Sequence, residues 1–173
     1  MKRLTGFLIF FISIFLVIGL LSFLLPSKVS LTKSAEINAT SALVRDQITN
    51  FEQWKNWYPA FKDENITVIK NPPAQNILNS VTLKDKQGKN ITLNLIDSNQ
   101  NTIDIEVQSL SSTKVSYQFI LNSKMDNQIQ LTWNVNTSFA WYPWKRIEGI
   151  FLDKFSGDQY EAALLNLKKA AEK

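Results

Sequence analysis

Asp104 and Glu106 stand two residues apart within the stretch Ile103 to Val107, and on an extended chain that spacing places both carboxylates on one face, about 7 Å apart. Two carboxylates so placed are the equipment of a glycoside-cleaving acid and base. The alternation around them argues otherwise, because Ile103, Ile105 and Val107 take the opposite face. The apolar side is the inward one, so the two acids read as solvated surface charges. Other reactive groups are missing from the composition. The chain has no histidine and no cysteine, which removes imidazole acid–base chemistry, thiol nucleophiles, disulfides and Cys/His zinc sites together. No glycine-rich phosphate loop, nucleophile elbow or metal-ligand cluster occurs, and no catalytic residue, metal or cofactor is assigned.

What remains is aromatic. Trp54, Trp57 and Tyr58 crowd the segment before Pro59, and Trp133 and Phe139 share the apolar face of one alternating run. Residues 139 to 146, "FAWYPWKR", set Trp141, Tyr142 and Trp144 beside Lys145 and Arg146. Such rings cap a core, rim a cavity or rest at a bilayer interface, where Trp and Tyr are favoured; the sequence leaves the three open. Tyr117 and Thr137 are polar tips on otherwise apolar faces. Sparse groups of this kind orient a ligand in a greasy pocket, or are satisfied by backbone or buried water.

The elements that must carry these residues follow from period. Val29, Leu31, Ala35 and Ile37 alternate, predicting a first strand. Asn38, Thr40 and Ser41 offer capping oxygens before Leu43, Val44, Ile48 and Phe51 recur at helical spacing. Six further alternating runs extend from Ile66 to Phe139, separated by turn signals such as "NPPAQN", "DKQGKN" and "DSNQN". Links this short predict antiparallel neighbours. After Pro143 the period becomes 3.6, with Ile147, Ile150, Phe151, Phe155, Ala163, Leu164, Leu167 and Ala171, predicting one helix of about 25 residues with Gly157 as its weak point. The apolar stripe of that helix and the apolar face of the sheet cover each other most simply. The expected fold is α+β: a curved antiparallel sheet of about seven strands around a long C-terminal helix.

Ahead of this domain, residues 4 to 25 carry no charge. A helix of that length spans about 33 Å, enough for a bilayer. The expectation is a single-pass N-terminal anchor over residues 1–26, in the membrane through residues 4–25, with a domain over residues 29–173. Lys2 and Arg3 then favour a cytoplasmic N-terminus and an extracytoplasmic domain. Net charge is +4, without a basic cluster longer than a pair, so nucleic acid is not an expected partner.

The stretches "AEINATSALVRDQITNFEQWKNWYP" and "LTWNVNTSFAWYPWKRIEGIFLDKFSGDQYEAALLNLKKAAE", with the element order between them, resemble the START-like (SRPBCC) superfamily, in particular its polyketide cyclase/dehydrase branch. The resemblance implies a helix-grip fold with a hydrophobic cavity between sheet and C-terminal helix. It also implies that Trp54, Trp57 and Tyr58 border that cavity near its entrance. The expected function is binding of a hydrophobic small molecule or lipid, with Trp54, Trp57, Tyr58, Tyr117, Trp133, Thr137, Phe139, Trp141, Trp144, Phe151 and Phe155 as its lining. A cyclase- or dehydratase-like enzyme and a protein-interaction module with a filled core are the alternatives.

Overall fold

Period-two alternation becomes a sheet with one greasy and one wet side. The structure, a computed structural model, describes residues 2–22, 24–72, 74–109, 113–125, 127–140 and 143–173. Helix α1 (Lys2–Ser22) precedes strand β1 (Lys28–Ile37), helix α2 (Ser41–Thr49) and a short helix α3 (Trp54–Trp57). Strands β2 (Ile66–Lys70), β3 (Asn79–Asp85), β4 (Asn90–Ser98), β5 (Thr102–Ser109), β6 (Lys114–Met125) and β7 (Gln128–Ser138) follow, then helices α4 (Pro143–Ile150) and α5 (Leu152–Ala171). The seven strands form one sheet in the order β1-β7-β6-β5-β4-β3-β2, with every neighbour antiparallel. This is the expected α+β helix-grip arrangement.

On the concave face Leu31, Ile37, Leu93, Leu95, Ile103, Ile105, Phe119, Leu121, Ile129, Leu131, Trp133 and Val135 are buried. The convex face carries cross-strand polar ladders instead: the Ser30 hydroxyl donates to Asn136 Oδ1 at 2.8 Å, and Thr32 to Asn134 Oδ1 at 2.8 Å. At the far end Asn71 Nδ2 donates to Ser80 Oγ at 2.8 Å, and Ser80 passes its own hydrogen to Asn94 Oδ1 at 2.7 Å. Polar pairs of this kind satisfy the wet face without competing for the core. Register shifts between Leu95 and Asp97 and between Ser123 and Met125 are the local irregularities that bend strands and curve a sheet.

The helices are set down by specific contacts. Thr40 Oγ1 accepts the Leu43 backbone N–H and starts α2, which buries Val44 and Ile48. Both tryptophans of α3 are fully buried, and their indole nitrogens donate to the backbone of α2: Trp54 Nε1 to Ile48 O at 2.8 Å and Trp57 Nε1 to Gln47 O at 3.0 Å. These bonds lock α3 beneath α2 while satisfying two donors that burial would otherwise penalise. Helix α5 buries Ala163, Leu164, Leu167 and Ala171 and packs on β1, α2 and α3. Its C-terminal end is tied down where Glu172 Oε1 accepts the Asn38 backbone N–H at 2.7 Å.

Two expectations are corrected. The C-terminal helix is not continuous: it divides at Phe151 (φ −97°, ψ 5°), giving α4 and α5, whereas Gly157 lies buried inside an unbroken α5. The N-terminal segment also departs from the anchor expected of residues 4–25. Helix α1 runs from Lys2 to Ser22 and takes in the charged Lys2 and Arg3. Among the described residues no helix is long and apolar enough to cross a membrane. The transmembrane anchor, the single-pass localisation and the orientation built on it are therefore withdrawn. Helix α1 lies against α4, where Arg146 Nη1 donates to Leu25 O at 3.4 Å.

Helix α4 is positioned by a ring on a glycine. A Cβ placed on Gly149 would sit 2.6 Å from Phe139 Cε2, closer than carbon atoms tolerate. Gly149→Ala is therefore expected to destabilise the domain by about 1–3 kcal/mol through overpacking. Denaturant unfolding with an unchanged slope and a lowered midpoint is the expected reading; a wild-type midpoint would show that Phe139 does not seat on this glycine.

Candidate functional site

Helix α5 crosses the concave face over a single aromatic hub. Its centre is Trp133 on β7, which has no exposed surface. The indole stacks on Phe119 of β6 with centroids 4.8 Å apart at 26°. Four more rings meet it at steeper angles: Tyr117 at 5.3 Å, Tyr160 at 5.1 Å, Trp57 at 6.0 Å and Tyr58 at 6.1 Å. Each element of the grip contributes one ring or more: β6 and β7 from below, α3 and its following turn from one side, α5 from above. Offset and edge-to-face pairs at these distances add about 0.5–1.5 kcal/mol each beyond simple burial.

Polar atoms are embedded in this hub. The Tyr58 and Tyr117 hydroxyls are 3.1 Å apart, and the Tyr160 ring meets that of Tyr117 edge-on with centroids 6.1 Å apart. Trp133 Nε1 is buried with no hydrogen-bond partner, in contrast to the indoles of Trp54 and Trp57. An orphaned buried donor costs about 1–3 kcal/mol, which a phenylalanine at this position would avoid. Burial pushes all three phenols above their ordinary value, and their mutual proximity adds to the effect at Tyr58 and Tyr117. At neutral pH they are hydrogen-bond donors and acceptors, not bases.

The expected open chamber is mostly occupied by these rings. Between the turn after α3 and helix α5 there is a cleft of about 70 Å³ bounded by Tyr58, Pro59, Ala60, Gln159 and Tyr160. A larger recess of about 210 Å³ lies at the end of the sheet, where Phe51, Val68 and Val81 form an apolar floor and Lys70 bridges to Glu52 at 3.4 Å. The convex face holds a shallow depression lined by Asp104, Glu106, Lys114 and Gln118 among others. Gln118 Nε2 donates to Asp104 Oδ1 at 3.0 Å there, so the carboxylate pair faces outward, away from the hub. Among the described residues no cluster suited to a metal occurs.

Of the residues expected to line a site, Trp54, Trp57, Tyr58, Tyr117 and Trp133 are brought together, and Thr137 is buried farther along β7. Phe139 is half-buried and committed to Gly149. Trp144 and Phe151 are 55% and 44% exposed and lie on the outside of α4 and at its junction with α5. Trp141 and Tyr142, like the side chain of Phe155, lie outside the described residues. Sequence reasoning passed over Tyr160. It stands three and four residues before Ala163 and Leu164, on the same helical stripe, and that spacing was the available signal.

The three buried phenols give the domain an alkaline limit. Their folded-state values lie above the ordinary 10.0, so above pH 10 the unfolded chain sheds protons that the folded chain retains. Their contribution to stability is complete below about pH 10 and declines as pH rises toward the folded-state values, by up to about 1.4 kcal/mol per phenol per pH unit. Absorbance titration of phenolate is expected to show two of the four tyrosines, Tyr58 and Tyr117, silent until the protein unfolds. All four ionising together near pH 10 in folded protein would contradict the hub.

Comparison with known proteins agrees with this geometry. No curated protein matches the sequence. Solved structures do match: the Zhui aromatase/cyclase from Streptomcyes sp. R1128 has a TM-score of 0.64 at 12% identity, over 84% of this chain and 94% of its own. A START superfamily protein from Mycobacterium smegmatis reaches 0.63 at 15% identity, over 83% and 97% of the two chains. The di-domain aromatase/cyclase StfQ of the steffimycin biosynthetic pathway reaches 0.63 at 9% identity, over 84% of this chain and 51% of its own. At such identities the likeness establishes the fold alone. The sequence profile described as "Polyketide cyclase / dehydrase and lipid transport" matches residues 28–172, which spans the whole of the sheet and both C-terminal helices, and the chain belongs to that family.

Proposed function

We propose that this domain binds an apolar small molecule in the seam between the concave face and α5, reached through the cleft between Tyr58 and Tyr160. The observation that carries this reading is the unpartnered Trp133 N–H among three phenols. A core that served only stability would gain by replacing those polar atoms with carbon. A site that receives a guest needs such groups, few and fixed, on an otherwise apolar wall. Lipids with a slender apolar portion fall within the class.

The cleft as it stands has room for about two waters, so uptake requires Tyr58 or Tyr160 to swing aside. Tyr160 sits on the outer part of the hub and is only half-buried. A guest burying about 300 Å² of apolar surface gains about 7.5 kcal/mol before ordering costs. Micromolar binding is thus within reach without any charge pairing. Catalysis is not part of the proposal, because phenols held protonated supply hydrogen bonds and no base.

The near-complete filling of the seam favours a second reading, a protein-interaction module with a closed core. Titration with acetylnaphthalene, followed by tryptophan emission, separates the two, alongside mass spectrometry of natively purified protein. The binding reading expects a saturable response in the micromolar range, reached faster in Tyr160→Ala, which opens the cleft. Absence of any bound species, with no response in either protein, would leave the interaction module standing.

A further inference from the structure

The hub contains more donors than it can use. Three hydroxyls and one indole supply four donor hydrogens, and the Tyr58–Tyr117 hydroxyl contact consumes one of them. Among the rest is the Trp133 N–H, which has no partner and 0% exposure. No neighbouring oxygen accepts from the indole as the rings are packed. Its ring neighbours are Phe119, Trp57, Tyr58, Tyr117 and Tyr160, and Trp57 is itself an N–H donor already spent on Gln47 O.

Charge in the seam points the same way. One lysine occupies a concave strand position beside the hub, Lys33, opposite Trp133 in the β1–β7 register. Lys33 is held by Glu161 at 3.3 Å. A carboxylate or phosphate drawn into the hub would give up its hydration without gaining an unengaged cation there. A pure hydrocarbon would leave the surplus donors as they are.

Resting on the seam as the binding site, we infer that the guest is a neutral molecule presenting one carbonyl-type acceptor oxygen to the Tyr58–Tyr117–Tyr160–Trp133 hub. Ketones, aldehydes and esters on an apolar frame fit this class; fatty acids and lipid phosphates do not enter by their charged ends. The acceptor takes the unpaired indole hydrogen together with a hydroxyl hydrogen, so part of its gain over a hydrocarbon of equal shape comes from a donor that is already desolvated.

Three probes of one shape test this: ethylnaphthalene, acetylnaphthalene and naphthoate, titrated calorimetrically into the full chain. The expected order places acetylnaphthalene about tenfold tighter than ethylnaphthalene, as one well-made hydrogen bond allows, with naphthoate weaker than the ketone. The carbonyl stretch of the bound ketone should move to lower wavenumber. Trp133→Phe and Tyr117→Phe, checked for folding by circular dichroism, should each remove most of the ketone preference while leaving ethylnaphthalene binding in place. Equal binding of ketone and hydrocarbon, or tightest binding of naphthoate, would overturn the inference and leave the seam intact as a site. Failure of all three to bind the wild-type chain would overturn the seam itself, and this inference with it.

Discussion

A helix laid across a bent sheet must fill the hollow beneath it, and here the hollow is filled by one tryptophan. Trp133 touches rings from β6, from α3 and its following turn, and from α5. Most other placements lead back to it. The indoles of Trp54 and Trp57 fasten α3 to α2, so that Trp57 and Tyr58 arrive at the hub. The paired convex ladders keep the strand register that turns Tyr117, Phe119 and Trp133 to the same side. Fixing Glu172 to the Asn38 backbone anchors α5 at one end and leaves Tyr160, nearer the other, above the indole.

The same centre carries a tension. Close packing of aromatic rings stabilises the grip, yet three hydroxyls and an indole N–H sit where pure hydrocarbon would pack without penalty. Buried polar networks are most stable when every member is satisfied, and this one is not. That imbalance is the physical ground for the proposed guest, and it stands without appeal to the chemistry of the aromatase/cyclase structures that share the fold.

Much of the fold could be read from residue order because the strands are two-sided. Alternations such as Ile129, Leu131, Trp133 and Val135 leave one register in which all four are buried, and a slip by one residue would expose them. The break between α4 and α5 was illegible for the opposite reason. Helical periodicity runs through Phe151 without interruption, and the likelier-looking breaker, Gly157, is buried and helical. At the N-terminus the uncharged run suggested a span, but an unbroken run of apolar residues does not fix where a helix begins and ends, and α1 takes in Lys2 and Arg3. The site was legible as a set of aromatic residues, not as an arrangement. Tyr58, Tyr117 and Tyr160 lie far apart in the chain, and only tertiary packing brings their rings together.

The central claim is that a guest enters beside Trp133 rather than settling on the exposed rings of α4. Fluorine NMR of protein carrying fluorotryptophan at its five tryptophans, recorded as acetylnaphthalene is added, tests it most directly. The account predicts that the resonances of Trp133 and Trp57 shift and saturate while that of Trp144 stays in place. A response confined to Trp144, with Trp133 and Trp57 unmoved, would contradict it.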